Sequence, residues 1–437
     1  MSEGGGFTSG SLWLFGATTV GNLCNFLYHL YMVRHLPTDQ YAMLTSLIAM
    51  MTILAVPAST VQTTTSHRVA HLSARHHWSD LRLDLRRRFL MVSLLGMLWL
   101  MVAAVAHRAL MAYLRFPDVP AVILTWGAVM SFSFILPVVW GSLQGLQAFE
   151  HLGANMMLSA LLKLLLGFLL VHIGWAVLGA MQGLLVAVVV ALGVGIGQLR
   201  HDLNQRHPHV RQAASWWGKI TTLVIDGVNE CWLIVKNPKD ISRYAAVVAI
   251  SVTAYTSLTN SDVVLAKHYL DPTTAGYYAM AAMVSRIVLF LPMAFSMVLF
   301  PKVAQATALE RDARPLLRRV AFSTGLLSGL ACAVCGFFPI PVMRILTGGV
   351  YPQIIPSIRF LATAMACLAL ANLYLLYLLA ARQLRATLPF VASAVGHVTG
   401  IMVWHGTLEQ VAGVTLTVAA LLGSYSVAKI AGFSWTR

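Results

Sequence analysis

The chain has 437 residues, of which 58% are hydrophobic and only 10% charged, against about 25% charged in ordinary soluble domains. That much apolar surface cannot be hidden inside a water-soluble globule, and the same figures exclude a disordered or collagen-like chain. In a soluble protein the net charge of +15 would suggest nucleic acid; in a membrane chain it is accounted for by basic residues in alternate loops, and no nucleic-acid partner is expected.

Apolar runs separated by polar punctuation predict spans near 10–33, 41–65, 89–106, 120–143, 155–172, 175–198, 244–266, 274–300, 320–340, 355–380, 387–405 and 410–430. At about 20 residues per crossing, about twelve helices absorb nearly all the apolar content. The expected fold is an all-α polytopic membrane protein. The first ten residues carry no Lys or Arg, so a cleaved signal peptide is not expected.

With the N-terminus inside, 22 of the 30 basic residues fall in loops on the side of the termini and five on the other side; Lys163, Arg286 and Arg359 remain inside spans. This split predicts a multi-pass protein with both termini in the cytoplasm. The outer loops are short. The longest polar connection, 199–243, is cytoplasmic, and its middle, Ser215–Val235, is either an interfacial helix or a linker packed on the bundle.

An internal repeat divides the chain. Arg34-His35-Leu36-Pro37-Thr38, then Tyr41-Ala42-Met43 and Pro57, follows the first span; Lys267-His268-Tyr269-Leu270-Asp271-Pro272-Thr273, then Tyr278-Ala279-Met280 and Pro292, follows the seventh. An offset of six spans preserves orientation, so two parallel six-helix lobes, 1–198 and 244–437, are expected around a central cavity, joined by 199–243.

Polar residues inside spans are the candidates for chemistry. Thr18, Asn22, Asn25 and His29 fall on one helical face of the first span, and Ser251, Tyr255, Thr259 and Asp262 on one face of the seventh. Either stripe walls a wet cavity or joins helices by hydrogen bonds. Lys163 sits inside the fifth span, where intramembrane charges face a cavity or a partner. Asn155 and Ser159 share its face. Arg286 lies inside the eighth span ahead of Pro292, and guanidinium suits bidentate binding of phosphate; Arg359, near a span end, has the option of snorkelling. Asp262 either neutralises Arg286 or Lys163 or binds a coupling proton or cation. Three intramembrane cations against one acid favour an anionic cargo.

No phosphate-binding loop, nucleophile elbow or His-Glu-x-x-His site is present. Cys332 and Cys335 have CxxC spacing but lie in an apolar helix without His or acidic neighbours, and most of the histidines lie in basic loops. No cofactor or metal is expected, and no enzyme activity.

Three stretches resemble the oligosaccharide/polysaccharide flippase family of the multidrug/oligosaccharidyl-lipid/polysaccharide (MOP) exporter superfamily. They are Gly21-Asn22 through Asn25-Phe26-Leu27-Tyr28 to Arg34 and Tyr41; Gln144 to Phe149; and Thr259-Asn260-Ser261-Asp262 through Tyr269-Leu270, Gly276-Tyr277-Tyr278, Arg286 and Leu291-Pro292 to Leu299–Ala304. The resemblance implies two six-helix bundles alternating between inward- and outward-open states. It further implies a polyprenyl-diphosphate-linked glycan as cargo in the bacterial inner membrane, with membrane lipids and a glycan polymerase or export machinery as partners. On that basis Lys163 and Arg286 are expected to contact the diphosphate, with Asn25, Asn260 and Asp262 lining the cavity. Residues 215–239 depart from the family pattern. A multidrug/cation antiporter of the same superfamily is the alternative, and a glycan polymerase or ligase the enzymatic one; short outer loops argue against the latter.

Overall fold

The computed structural model describes residues 3–206, 241–292, Leu299, Val303 and 312–432. The segment expected as interfacial, Ser215–Val235, and most of the end of the eighth expected span lie outside the described residues. Among the described residues every regular element is helical.

In chain order the α-helices are α1 (Glu3–His35), α2 (Thr38–Leu54), α3 (Val56–Ala74), α4 (Trp78–Tyr113), α5 (Pro120–Gly145), α6 (Phe149–Leu170), α7 (Ala176–Arg206), α8 (Ile241–Tyr269), α9 (Pro272–Phe290), α10 (Arg314–Phe337), α11 (Pro339–Thr347), α12 (Ile355–Ala380), α13 (Leu388–Val403) and α14 (Leu408–Ala431). Seven continuous helical stretches among the described residues are long and apolar enough to cross a membrane, or eight counting the bent pair α2 and α3. The 40° bend between that pair is explained by Pro57, which has no N–H to donate and crowds the preceding turn. Pro292 follows the end of α9.

One of the seven stretches, Phe149–Gln205, is α6 and α7 joined by a π-helical turn, Val171–Trp175. Gly174 there takes φ 102°, a left-handed conformation that glycine adopts without a Cβ penalty. Pairs equidistant from the turn face one another: Gly167 with Gly183, Asn155 with Ala191, His151 with Asp202. α6 and α7 are therefore antiparallel.

The chain divides into two compact units, residues 1–35 with 54–242, and residues 36–53 with 243–437. The 36–53 stretch, which chain order assigns to the first expected lobe, sides with the second unit: Gly276 of α9 abuts the Thr38 carbonyl of α2.

Within the first unit, contact pairs fix helix directions. Gly21 meets Ala160, and Gly167 meets Tyr28 and Met32, so α1 and α6 are parallel. α3 and α5 are parallel, because Gly141 and Gly145 of α5 lie on Gln62 and Ser66 of α3. This is a Gly-x-x-x-Gly face that lets two backbones approach closely, the chief source of helix association where no hydrophobic effect operates between helices. Ser131 of α5 donates to the Gly96 carbonyl of α4 at 2.7 Å, and Gly127 meets Ala103, so these two are antiparallel. Odd and even expected spans thus run in opposite directions, as a chain that threads back and forth requires. In the second unit α8 and α9 are antiparallel, α8 and α13 parallel, and α13 and α14 antiparallel.

α4 lies at the periphery of its unit. Leu94, Leu98, Met101 and Val105 form an exposed stripe along it, Val105 being 85% exposed. A continuous apolar stripe of that kind marks a lipid-facing surface.

Candidate functional site

In the first unit, α1, α5, α6 and α7 line an open pocket of about 230 Å³, room for several waters. Thr18, Asn22 and Asn25 line it from α1, Ser159 and Lys163 from α6, and Trp140 from α5. Three of the four residues of the first span's polar stripe thus line the pocket, together with the face of α6 that carries Lys163; His29 is not in the lining. Lys163 is the one charged residue of the lining.

Lys163 lies about 21 Å along α6 from its start, at 1.5 Å per residue. Its side chain is partly buried, and its Nζ donates to Asn25 Oδ1 at 3.0 Å and sits 4.3 Å from the centre of the Tyr28 ring. Tyr28 is itself pinned, its hydroxyl donating to the Ala180 carbonyl of α7 at 3.2 Å. Among the described residues no carboxylate of this unit lies within ion-pair distance of Lys163. Asn25 and the ring supply partial charges only, so neither neutralises the ammonium. Asn155 is buried beneath this site and structural: it accepts from Trp140 Nε1 at 2.8 Å and donates to the Ala191 carbonyl at 2.8 Å.

The stripe of the seventh span behaves differently. Tyr255 donates to the Leu368 carbonyl of α12 at 3.2 Å, Ser251 is fully buried, and Thr259 bonds within its own helix. This face joins helices. Asn260 is half-buried and donates to the Thr256 carbonyl and the Thr259 hydroxyl, both at 2.9 Å, so its amide hydrogens are spent locally.

Asp262 is fully buried. It accepts from the Tyr278 hydroxyl at 3.0 Å, and Arg286 approaches its other oxygen at 3.7 Å. Arg286 also donates to the Thr259 carbonyl at 2.9 Å. Of the two partners open to Asp262, its own unit supplies Arg286. Residues 262 and 286 are one turn-and-helix apart, and antiparallel packing of α8 on α9 brings them together. Arg359 donates to the Gly336 carbonyl at 3.1 Å from an exposed position.

Three residues of this neighbourhood escape a reading by polar stripes: Tyr278, His397 and Thr415. A histidine in the middle of the apolar run 388–403 was the available signal. Its partners come from α8 and α14, far away in sequence.

The profile of a family described as "Polysaccharide biosynthesis protein" matches residues 7–307. A search of curated protein sequences finds no match. Solved structures share the fold at low identity. An inward-facing multidrug-resistance MATE-family transporter of the MOP superfamily has TM-score 0.68 at 13% identity, over 94% of this chain and 95% of that one. The lipid II flippase MurJ, in an inward closed conformation, has TM-score 0.68 at 9% identity, over 97% and 88%. A MOP superfamily transporter from Pyrococcus furiosus, whose binding pocket is described as reversed in polarity, has TM-score 0.52 at 13% identity, over 99% and 96%. Matched over most of its length by that profile, the chain belongs to the polysaccharide biosynthesis protein family, and it shares its fold with these transporters.

Proposed function

We propose that this multi-pass membrane protein flips a polyprenyl-diphosphate-linked oligosaccharide or polysaccharide precursor across the bacterial inner membrane, by alternating access of two six-helix lobes with both termini in the cytoplasm. The observation that carries the reading is Lys163: an ammonium inside a membrane-spanning helix, facing a polar cavity, held by a neutral amide and a ring and by no carboxylate of its unit. A cation kept there costs free energy, and an anionic ligand offsets it. Arg286 is the second diphosphate contact in this reading, with Asn25, Asn260 and Asp262 along the path. A glycan polymerase or export complex would receive the product.

The test is mass spectrometry of polyprenyl-diphosphate glycans in cells depleted of the protein. Accumulation of one complete repeat unit in the inner leaflet, with surface glycan lost, supports the flippase. An unchanged lipid-linked pool with reduced drug or cation tolerance would replace it with an antiporter and remove the diphosphate role of Lys163.

A further inference from the structure

His397 lies on α13 with 1% of its surface exposed. Its ring bridges two hydroxyls: Nε2 is 3.0 Å from Thr415 Oγ1 on α14 and Nδ1 is 3.3 Å from Ser261 Oγ on α8. Thr415 spends its own hydrogen on the Val411 carbonyl at 3.0 Å. Its oxygen therefore accepts, and Nε2 carries the hydrogen of the neutral ring. Nδ1 is then the acceptor, and Ser261 donates to it. A second proton has one place to go, Nδ1, and only the Ser261 hydroxyl must turn, so that its oxygen accepts. The ring takes up a proton without losing a hydrogen bond.

A buried imidazolium needs an anion nearby. Burial works against a charged ring here, and the carboxylate of Asp262, next in the chain to Ser261, works for it. From α9, Tyr278 donates to Asp262 Oδ2 and lies beside the Thr415 hydroxyl, while Arg286 stands 3.7 Å from Oδ1. Asp262 Oδ1 and Arg286 Nε each lack a hydrogen-bond partner. The Arg286 pair therefore rests on charge at a distance beyond hydrogen bonding, and one carboxylate serves a permanent cation and a latent one.

We propose that His397 is a proton-binding site that competes with Arg286 for Asp262, so that a proton on His397 loosens Arg286 for an anionic ligand. By linkage, proton uptake and anion binding at Arg286 then favour each other by the same factor. The proton site stands on the buried network alone; the choice of a diphosphate as the linked ligand rests on the proposed function above.

The test uses the full-length protein in lipid bilayers. Solid-state NMR of 15N-labelled histidine follows His397, assigned by the signal lost in H397Q. Across roughly pH 8 to 4, which brackets the ordinary imidazole range, the ring gains its second proton. At one fixed pH inside the transition, the ratio of protonated to neutral ring rises about tenfold in R286Q and falls about tenfold in D262N. A ring that stays neutral to the acid limit, or a ratio that neither variant moves, overturns the proton site. In a second arm a short polyprenyl diphosphate is titrated over the same range. Wild type binds up to about tenfold more tightly per pH unit of acidification than H397Q and H397N do, the probe's own titration being common to all three. An equal pH dependence in the variants overturns the linkage. No binding at any pH, with the NMR response intact, overturns the diphosphate reading and upholds the proton site.

Discussion

Replacing Lys163 with Met separates a working cation from a structural one. The substitution keeps an unbranched stem of similar volume and removes the charge. In the resting protein the ammonium gains a charge-assisted hydrogen bond to Asn25, about 1.5–3 kcal/mol, and a ring contact with Tyr28, about 0.5–2 kcal/mol. Against this stands the cost of seating Lys inside a span, about 2.5–3.5 kcal/mol. The terms cancel to within about 2.5 kcal/mol, so the variant is expected to express and melt close to wild type. Ligand binding has no such cancellation. Losing a charged partner of the diphosphate costs about 1.5–3 kcal/mol, a rise of roughly 10- to 150-fold in Kd. The assay pairs a thermal melt in detergent with the Kd of a short polyprenyl diphosphate and the cellular pool of lipid-linked glycan. Lys163→Arg, which keeps the charge on a different geometry, is expected to recover part of the binding. Unchanged Kd and undiminished glycan export in a normally expressed K163M would remove Lys163 from the site. A stability loss above about 2.5 kcal/mol with unchanged Kd would make Lys163 a structural residue held by Asn25 and Tyr28.

Three further outcomes are expected. Gly141→Leu places a Cβ about 2.5 Å from the Gln62 carbonyl, with the rest of the side chain to follow. It should force α3 from α5 and lower stability by about 1–3 kcal/mol or more, and an unchanged thermal midpoint would mean that these helices do not pack as described. Asn155→Leu orphans Trp140 Nε1 and removes the second bond of the Ala191 carbonyl, which keeps its helical one, at about 1–3 kcal/mol for the orphaned donor; adding Trp140→Phe should recover part of the loss in a double-mutant cycle read by thermal melts, and strict additivity would refute the coupling. Asp271 caps α9 outside the membrane span, accepting from the Thr274 N–H at 3.0 Å; the Thr274 hydroxyl, and then its N–H, hold the Asp271 carboxyl below its usual range. Its contribution is present above the ordinary aspartate value and fades as pH falls through the lowered one. Asp271→Ala should therefore cost about 1 kcal/mol near neutrality and progressively less in acid, which paired melts at two pH values would show.

Much of the helical layout was legible because membrane chains obey a strict rule: backbone polar groups must be satisfied within the segment, so each long apolar run is a helix. The polar stripe of α1 was legible for a related reason, since Asn22 and Asn25 are costly against lipid and must face something polar. The break between the expected spans 155–172 and 175–198 was legible as well, and the turn Val171–Trp175 falls on it, with its unusual backbone angles at Gly174 and Ala176. Two features were not legible. The partner of Asp262 depends on which helix packs against α8, and spacing along the chain does not encode packing; Lys163 and Arg286 looked equally suitable. His397 sits among apolar neighbours, and its two hydroxyl partners are 136 and 18 residues away. One of them, Thr415, is itself unremarkable in a helix, because its own hydrogen bond runs to the preceding turn.

The two stripes show how one repeat plan serves two purposes. Each belongs to the helix that opens its half of the chain, and each carries four polar residues on one face. Around α1 the neighbouring helix α6 contributes a cation without an acid, so the face stays polar and lines an open pocket. Around α8 the neighbouring helix α9 contributes Arg286, and α8 supplies Asp262 for it. Charge is compensated internally and the face closes into packing, with Tyr255 and Asp262 bonded across to other helices. Reversing the sign of this balance is a direct physical test of the division. Placing an acid opposite Lys163, as Asn25→Asp, should compensate the ammonium, abolish the anion preference of the cavity and leave the fold in place, because a paired intramembrane charge is tolerated where an unpaired one is not. The measurements are the thermal midpoint and the Kd of the short polyprenyl diphosphate. If N25D bound that anion as tightly as wild type, the uncompensated charge of Lys163 would not be what the cavity offers its ligand.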